Sequence, residues 1–286
     1  MKLIALAPGK VNLCLFLGPV RSDGRHALLT VFESVSLADS VLVEHAAADE
    51  VICPGVEGPN IVARALAGLR ERGWEGPPLR ITIEKRIPVA GGMGGGSADA
   101  AAVLRLAAAS APVARGVVAQ LAAELGSDVP SQLRPGLSVG TGAGDVVEPL
   151  APPSTPRAFV VVPQPFGLST ADVYREADRL GLSRSESDLA DRLRGIRAGG
   201  MPRLVNDLEP AALSLRPEIG DALEAVRGAG ADHAMVSGSG PTVFGLFGGW
   251  NAHEQAAAAA ASLAGRYPGA SSAVPVSEEF GAPRGS

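Results

Sequence analysis

Cysteine, aromatic side chains and long apolar runs are all scarce in this chain, and each scarcity excludes something. The two cysteines, Cys14 and Cys53, stand far apart and form no Cys-x-x-Cys pair, so neither a thiolate metal site nor a disulfide framework is expected. No cluster of His, Cys or carboxylate residues suggests a metal cage either. The most apolar stretches, residues 100–111 and 256–264, are alanine-rich and fall short of the ~20 residues that cross a bilayer. A membrane partner is therefore not expected. Basic charge is in deficit: the formal net charge of -5 excludes a nucleic-acid backbone as the main partner. The first residues are cut short of a signal-peptide core by Pro8, Gly9 and Lys10, so a reducing cytoplasm is the expected compartment.

The 286 residues, 46% hydrophobic, suffice for a large core and suggest two domains. Val11, Leu13, Leu15 and Leu17 alternate with Asn12, Cys14 and Phe16, which predicts a strand with Asn12 facing away from the core. Further strands are predicted at residues 40–44, 79–84, 137–139, 158–162, 233–236 and 242–247. Helices are predicted at 61–72 after Asn60 as cap, at 113–125, and at 170–179, 187–197 and 217–228, with another from 252 onward. Strands and helices interleave, so the class is α+β or mixed α/β. A proline cluster between Glu148 and Arg157 can continue neither helix nor sheet. It sets a domain boundary near Pro153, giving residues 1–153 and 154–286, and the tail from 278 onward is expected to fray.

The most informative segment runs from Pro88 through Gly91, Gly92, Met93, Gly94, Gly95 and Gly96 to Ser97. It follows a predicted strand and opens into a helix. Five glycines within residues 91–96 remove the Cβ atoms that would hold an anion away, and the first helical turn adds unpaired N–H groups. This is a phosphate cradle, with Ser97 expected to cap the helix and face phosphate or magnesium. It is not the common P-loop, because Ser97 occupies the place of the required lysine. Gly-x-Gly-x-x-Gly is absent as well, which excludes the dinucleotide fingerprint. A second glycine-rich loop, Ser237-Gly238-Ser239-Gly240, lies between two predicted short strands.

Three stretches together, Ala7-Pro-Gly-Lys-Val-Asn-Leu, the Pro88–Ala101 cradle and Val236-Ser-Gly-Ser-Gly-Pro-Thr-Val-Phe, resemble the motifs of the kinases named after galactokinase, homoserine kinase, mevalonate kinase and phosphomevalonate kinase. Within them, Asp23-Gly-Arg-His26, Gly126-Ser-Asp-Val-Pro130 and Asn206-Asp-Leu-Glu-Pro210 look most like a branch acting on a cytidyl-diphosphate sugar alcohol, on the methylerythritol phosphate route to isoprenoids. The resemblance implies a mixed sheet-and-helix N-terminal domain of the type seen in a small-subunit ribosomal protein, a ferredoxin-like C-terminal domain, and a cleft between them. It implies ATP as donor, magnesium arriving with the nucleotide, and a tertiary 2-hydroxyl as acceptor.

By the same resemblance Asp128 would take or orient the hydroxyl proton and Lys10 would stabilise charge on the transferring group, a chemically adequate pair for phosphoryl transfer. Asn60 and Lys85 would line the adenine end. Asn12, His26, Thr170 and Tyr174 would hold the substrate, with Ser237, Gly238, Ser239 and Gly240 closing the cleft. The family usually has an aromatic residue where Arg25 stands here. A planar guanidinium also stacks on bases, so Arg25 and Tyr174 are expected to sandwich the cytosine. A kinase for homoserine, mevalonate or another small alcohol would share the cradle but not the Asp-Gly-x-His element or the Thr170 and Tyr174 pair. A nucleotide-binding regulator without catalysis would lack Lys10, Asp128 or Ser97. Nothing in the sequence decides oligomeric state, and a homodimer stays open.

Overall fold

Two long antiparallel strands, β1 (Lys2–Val20) and β2 (His26–His45), form the spine of the larger sheet. The computed structural model describes residues 2–56, 58–200 and 203–285. The expected alternation of β1 does not survive, because the strand is buried on both faces from Ala7 to Leu17. Cys14 and Phe16 pack with Phe159, Met235 and Phe244 from the second half of the chain, while Leu15 and Leu17 pack with Val173 and Ala177. Asn12 is accordingly buried. Register shifts between Pro8 and Lys10 and between Asn12 and Cys14 mark bulges, which re-aim side chains locally.

After β2 come β3 (Glu50–Ile52), α1 (Ile61–Glu71), β4 (Leu79–Glu84), α2 (Gly95–Ser110), α3 (Val117–Leu125), α4 (Val129–Leu133), β5 (Leu137–Thr141) and β6 (Val146–Pro149). The sheet runs β1-β2-β4-β3, with β5 also on β2 and β6 on β5. Asn60 caps α1 as expected, its side chain accepting from the Val62 amide. Helix α2 is buried through most of its circumference, from Ala98 to Ala107 apart from Arg105. Its alanines fit a central helix wrapped by β1, β2, α1 and α4.

Beyond the proline cluster, β7 (Arg157–Val162) starts a second sheet. There follow α5 (Thr170–Leu180), α6 (Glu186–Arg197), β8 (Val205–Asn206), α7 (Glu209–Leu215), α8 (Ile219–Gly228), β9 (His233–Val236), β10 (Val243–Gly248), α9 (Ala252–Leu263), β11 (Ser271–Ala273) and β12 (Arg284–Gly285). The second sheet has the order β11-β7-β10-β9, and its core is packed with residues of α8 and α9. Two short segments return to the first sheet: β8 pairs in parallel with β1, and β12 pairs antiparallel with its beginning. The tail is therefore docked rather than frayed, and the half-buried Arg105 helps hold it by donating to the Gly281 carbonyl. Among the described residues, no helix is long and apolar enough to cross a membrane.

Glu33 of β2 and Arg157 of β7 form a buried ion pair joining the two sheets. Burial pushes the Glu33 carboxyl up to about 7, despite the opposing pull of Arg157. Because the folded value exceeds the unfolded one, this group favours folding most fully at acid pH and loses that contribution as pH rises through about 7. The expected result is a thermal midpoint that declines between pH 5 and pH 8, with a flatter profile in Glu33→Gln. The difference between the two proteins across this window should be on the order of 2–3 kcal/mol. Parallel melting curves over the pH series check it, and superimposable profiles would exclude the pair as the source.

Candidate active site

The glycine run turns the chain from the end of β4 into α2, and its conformation is one that only glycine adopts easily. Gly92 and Gly94 have φ of +76° and +68°, in the left-handed region. Gly94 itself is the N-cap of α2, with no side-chain cap. Ser97 therefore lies inside the first helical turn and does not cap it. The first residues of α2, Gly95 to Ser97, line an open cavity of about 470 Å³ together with the rest of the cradle from Pro88 onward. The second glycine-rich loop locks this shape: Ser237 Oγ donates to the Gly92 carbonyl at 3.2 Å, and the Thr242 amide donates to the Gly91 carbonyl at 3.3 Å. Ser237 is fully buried, so Ser237 and Gly240 brace the cradle, whereas Gly238 and Ser239 line the cavity.

Lys10 reaches the cavity from β1. Its Nζ donates to Asn12 Oδ1 at 2.8 Å and to the Gly92 carbonyl at 3.0 Å, and it lies 3.3 Å from Asp128 Oδ2. The side chain is only 4% exposed, and a buried ammonium needs such partners. Asn12 is fixed in turn, Nδ2 donating to Thr30 Oγ1 at 2.8 Å. Asp128 stands at the N-cap of α4 but makes no capping hydrogen bond with its side chain. Its carboxylate is turned instead to Lys10 and to the cavity.

Lys85, just before the cradle, sits between Asp39 and Asp99, the latter at 2.7 Å. Burial lowers the Lys85 ammonium, yet the two carboxylates outweigh it and the net direction is upward. Burial pushes Asp99 up as well, against the pull of Lys85. Asn60 and Cys53 line the same end of the cavity. The chain has three lysines in all, Lys2, Lys10 and Lys85, and two of them are here.

Tyr174 and Thr170 also line the cavity, one helical turn apart on α5. Thr170 Oγ1 lies 3.0 Å from Ser239 Oγ, linking the helix to the second loop. Burial, reinforced by the Asp128 charge, holds the Tyr174 phenol above its ordinary range. His26 lies beside Tyr174, ring centroids 5.6 Å apart. The Arg25 guanidinium lies 3.0 Å from Asp23 and 3.5 Å from Asp145.

Several residues of the site were not singled out by the sequence. Asn206 donates to the Val236 and Gly238 carbonyls at 2.9 and 2.7 Å and so ties β8 to the second loop. Thr30, Asp39 and Asp99 hold Asn12 and Lys85. Asn206 and Asp99 stand within named motifs, a usable signal, while Thr30 and Asp39 are single polar residues whose partners lie elsewhere in the chain.

The GHMP kinases N terminal domain matches residues 60–136 and the GHMP kinases C terminal domain residues 186–269. The 4-diphosphocytidyl-2-C-methyl-D-erythritol kinase of Thermobifida fusca (strain YX) is 45% identical, over 82% of this chain and 83% of its own. That of Anaeromyxobacter dehalogenans (strain 2CP-C) is 40% identical, over 96% of this chain and 90% of its own. A crystal structure of 4-(cytidine 5'-diphospho)-2C-methyl-D-erythritol kinase superposes with a TM-score of 0.78 at 34% identity, covering 96% of this chain and 99% of that one. With both family domains present and such identity sustained along nearly its whole length, the chain belongs to the GHMP kinase family and, within it, to the 4-diphosphocytidyl-2-C-methyl-D-erythritol kinases.

Proposed function

We propose that the protein transfers the γ-phosphoryl group of ATP to the 2-hydroxyl of 4-diphosphocytidyl-2-C-methyl-D-erythritol, and that residues 1–153 and 154–286 are the two lobes enclosing the reaction. The observation that carries this reading is the 3.3 Å approach of Lys10 Nζ to Asp128 Oδ2 in the cavity that the glycine cradle lines. The triphosphate lies along the amides of residues 92–97, and Asn60 with Lys85 faces the adenine. Asp128 accepts the proton of the acceptor hydroxyl as its oxygen bonds to the γ-phosphorus, and ADP leaves. Lys10, already held by Asn12 and the Gly92 carbonyl, faces the charge spreading over the transferring oxygens at little reorganisation cost.

Both cavity lysines are already partnered by carboxylates, so side chains alone do not neutralise a triphosphate. Among the described residues no His, Cys, Asp and Glu cluster could hold a metal. The pairing of both lysines fits magnesium entering with the nucleotide, where it would screen the phosphates and the Ser97 hydroxyl would be the oxygen the cradle offers it. The cytidyl base fits against Tyr174, with His26 at its edge. That aromatic end favours the cytidyl substrate over homoserine or mevalonate, which have no base to stack. ADP release measured in parallel with the cytidyl substrate, homoserine and mevalonate tests the reading. Turnover only with the cytidyl compound is expected; turnover only with one of the others would overturn it.

A further inference from the structure

Arg105 breaks the buried run of α2 and has no part in the chemistry above, yet its guanidinium is committed to three carbonyls from three other parts of the chain. Nη2 donates to Leu6 of β1 at 3.1 Å, Nε donates to Gly281 of the tail at 3.1 Å, and Nη1 donates to Gln132 of α4. Burial lowers the guanidinium to about 10, against the pull of Glu278, so the group is held out of water at a cost, and its three acceptors are neutral. A planar fork of N–H donors can hold several acceptors at fixed angles at once, which a lysine cannot. The tail reaches this point from the second sheet: the Val276 amide donates to the Ser34 carbonyl at 3.0 Å, and a single turn, Glu278–Gly281, then lies against β1.

These ties join the elements that carry the reacting groups. Leu6 precedes Lys10 by four residues on β1, Gln132 follows Asp128 by four residues along α4, and α2 itself begins in the cradle. Nearer the cavity, β1 is fastened to the cradle by the Lys10 amide, which donates to the Met93 carbonyl at 3.0 Å. Helix α4 is only five residues long, so the bond from Arg105 near its end helps fix how Asp128 lies over α2. We infer that Arg105 is a positioning residue that, through Leu6 and Gln132, sets the separation of Lys10 and Asp128 over the cradle, with the tail completing its set of acceptors; the inference rests on the kinase reading above. Arg105 does not line the cavity and touches neither substrate. Because misplacing a reacting group by about 1 Å costs on the order of 100-fold in rate, loosening these ties should slow phosphoryl transfer and leave the binding of both substrates alone.

The test is single-turnover phosphoryl transfer by the full chain, at saturating ATP and 4-diphosphocytidyl-2-C-methyl-D-erythritol, for the wild type, Arg105→Met and Gly281→Ala, with dissociation constants for both substrates and melting curves in parallel. A single-turnover rate constant does not depend on how much of the protein is folded, so a loss of stability alone does not move it. Arg105→Met keeps an apolar stem and removes all three donors; its rate constant should fall by roughly 10- to 100-fold, with both dissociation constants unchanged. Gly281→Ala disturbs the same group from the tail, since a Cβ there would stand 3.0 Å from Arg105 Nη2 and 3.3 Å from the Leu6 carbonyl oxygen. It should slow the same step by a smaller factor, and it carries the test if Arg105→Met does not fold. Wild-type rate constants with only a lower thermal midpoint would overturn the proposal, and so would a parallel loss of ATP affinity, which would put the effect in the cradle. No transfer to the cytidyl compound by the wild type would instead overturn the kinase reading, and this inference with it.

Discussion

Replacing Asp128 by Asn should reduce kcat by roughly two to four orders of magnitude while leaving the dissociation constant for ATP nearly unchanged. The substitution keeps the shape of the side chain and removes the group that accepts the hydroxyl proton. Lys10 retains Asn12 Oδ1 and the Gly92 carbonyl as partners, so the cradle should hold. Asp128 makes no side-chain cap to α4, so no helix is lost. Single-turnover kinetics combined with a nucleotide-binding titration separate the two effects. A variant with near-normal turnover would remove Asp128 from the chemistry. One that loses turnover and ATP binding together would make it a part of the nucleotide site.

The second large effect is expected at Gly92. A Cβ there would stand 2.4 Å from the Ser237 carbonyl oxygen and 2.8 Å from that of Gly240, in a backbone with φ of +76°. The left-handed conformation alone costs a non-glycine residue on the order of 1–3 kcal/mol. The contacts are with backbone, so the second loop must move away. Since Ser237 and Thr242 brace the cradle, Gly92→Ala should weaken ATP binding by roughly tenfold or more, equivalent to at least ~1.4 kcal/mol, and lower the thermal midpoint by several degrees. Gly96→Ala is the matched control, because its Cβ would meet only Ile61 Cγ2 at 3.5 Å; its stability should stay near that of the wild type. Equal melting of the two variants would show that the close approach of the loops is not what shapes the cradle.

The parts of the site legible in the sequence are those written in consecutive residues. Five glycines between a strand and an alanine-rich helix announce exposed amides without any knowledge of distant partners. Asn60 as a cap and Tyr174 one turn after Thr170 are likewise local, and the structure has both. Where the helix begins was less legible: Ser97 looked like the cap, but a left-handed Gly94 starts α2 earlier. Burial of β1 on both faces was hidden because Phe159, Met235 and Phe244 come from far along the chain.

Polar partnerships across the fold were the least legible. Nothing local to Lys85 indicates that Asp39, 46 positions away, shares it with Asp99. Nothing local to Arg25 indicates that Asp145, which the β5–β6 turn delivers, lies beside its guanidinium. His26 and Asp178 meet in the same way, from β2 and α5. Each is one acid among 30 in the chain, and only the fold distinguishes it from a solvated charge.

The central claim is that the amides of the glycine run grip the triphosphate beside Lys10 and Asp128. A crystal structure with a non-hydrolysable ATP analogue and magnesium tests it most directly. The expected result places the β- and γ-phosphate oxygens within hydrogen-bond distance of backbone amides in residues 92–97, with Lys10 Nζ and the Asp128 carboxylate on either side of the γ-phosphorus. A triphosphate bound elsewhere, or one that leaves those amides facing water, would contradict it.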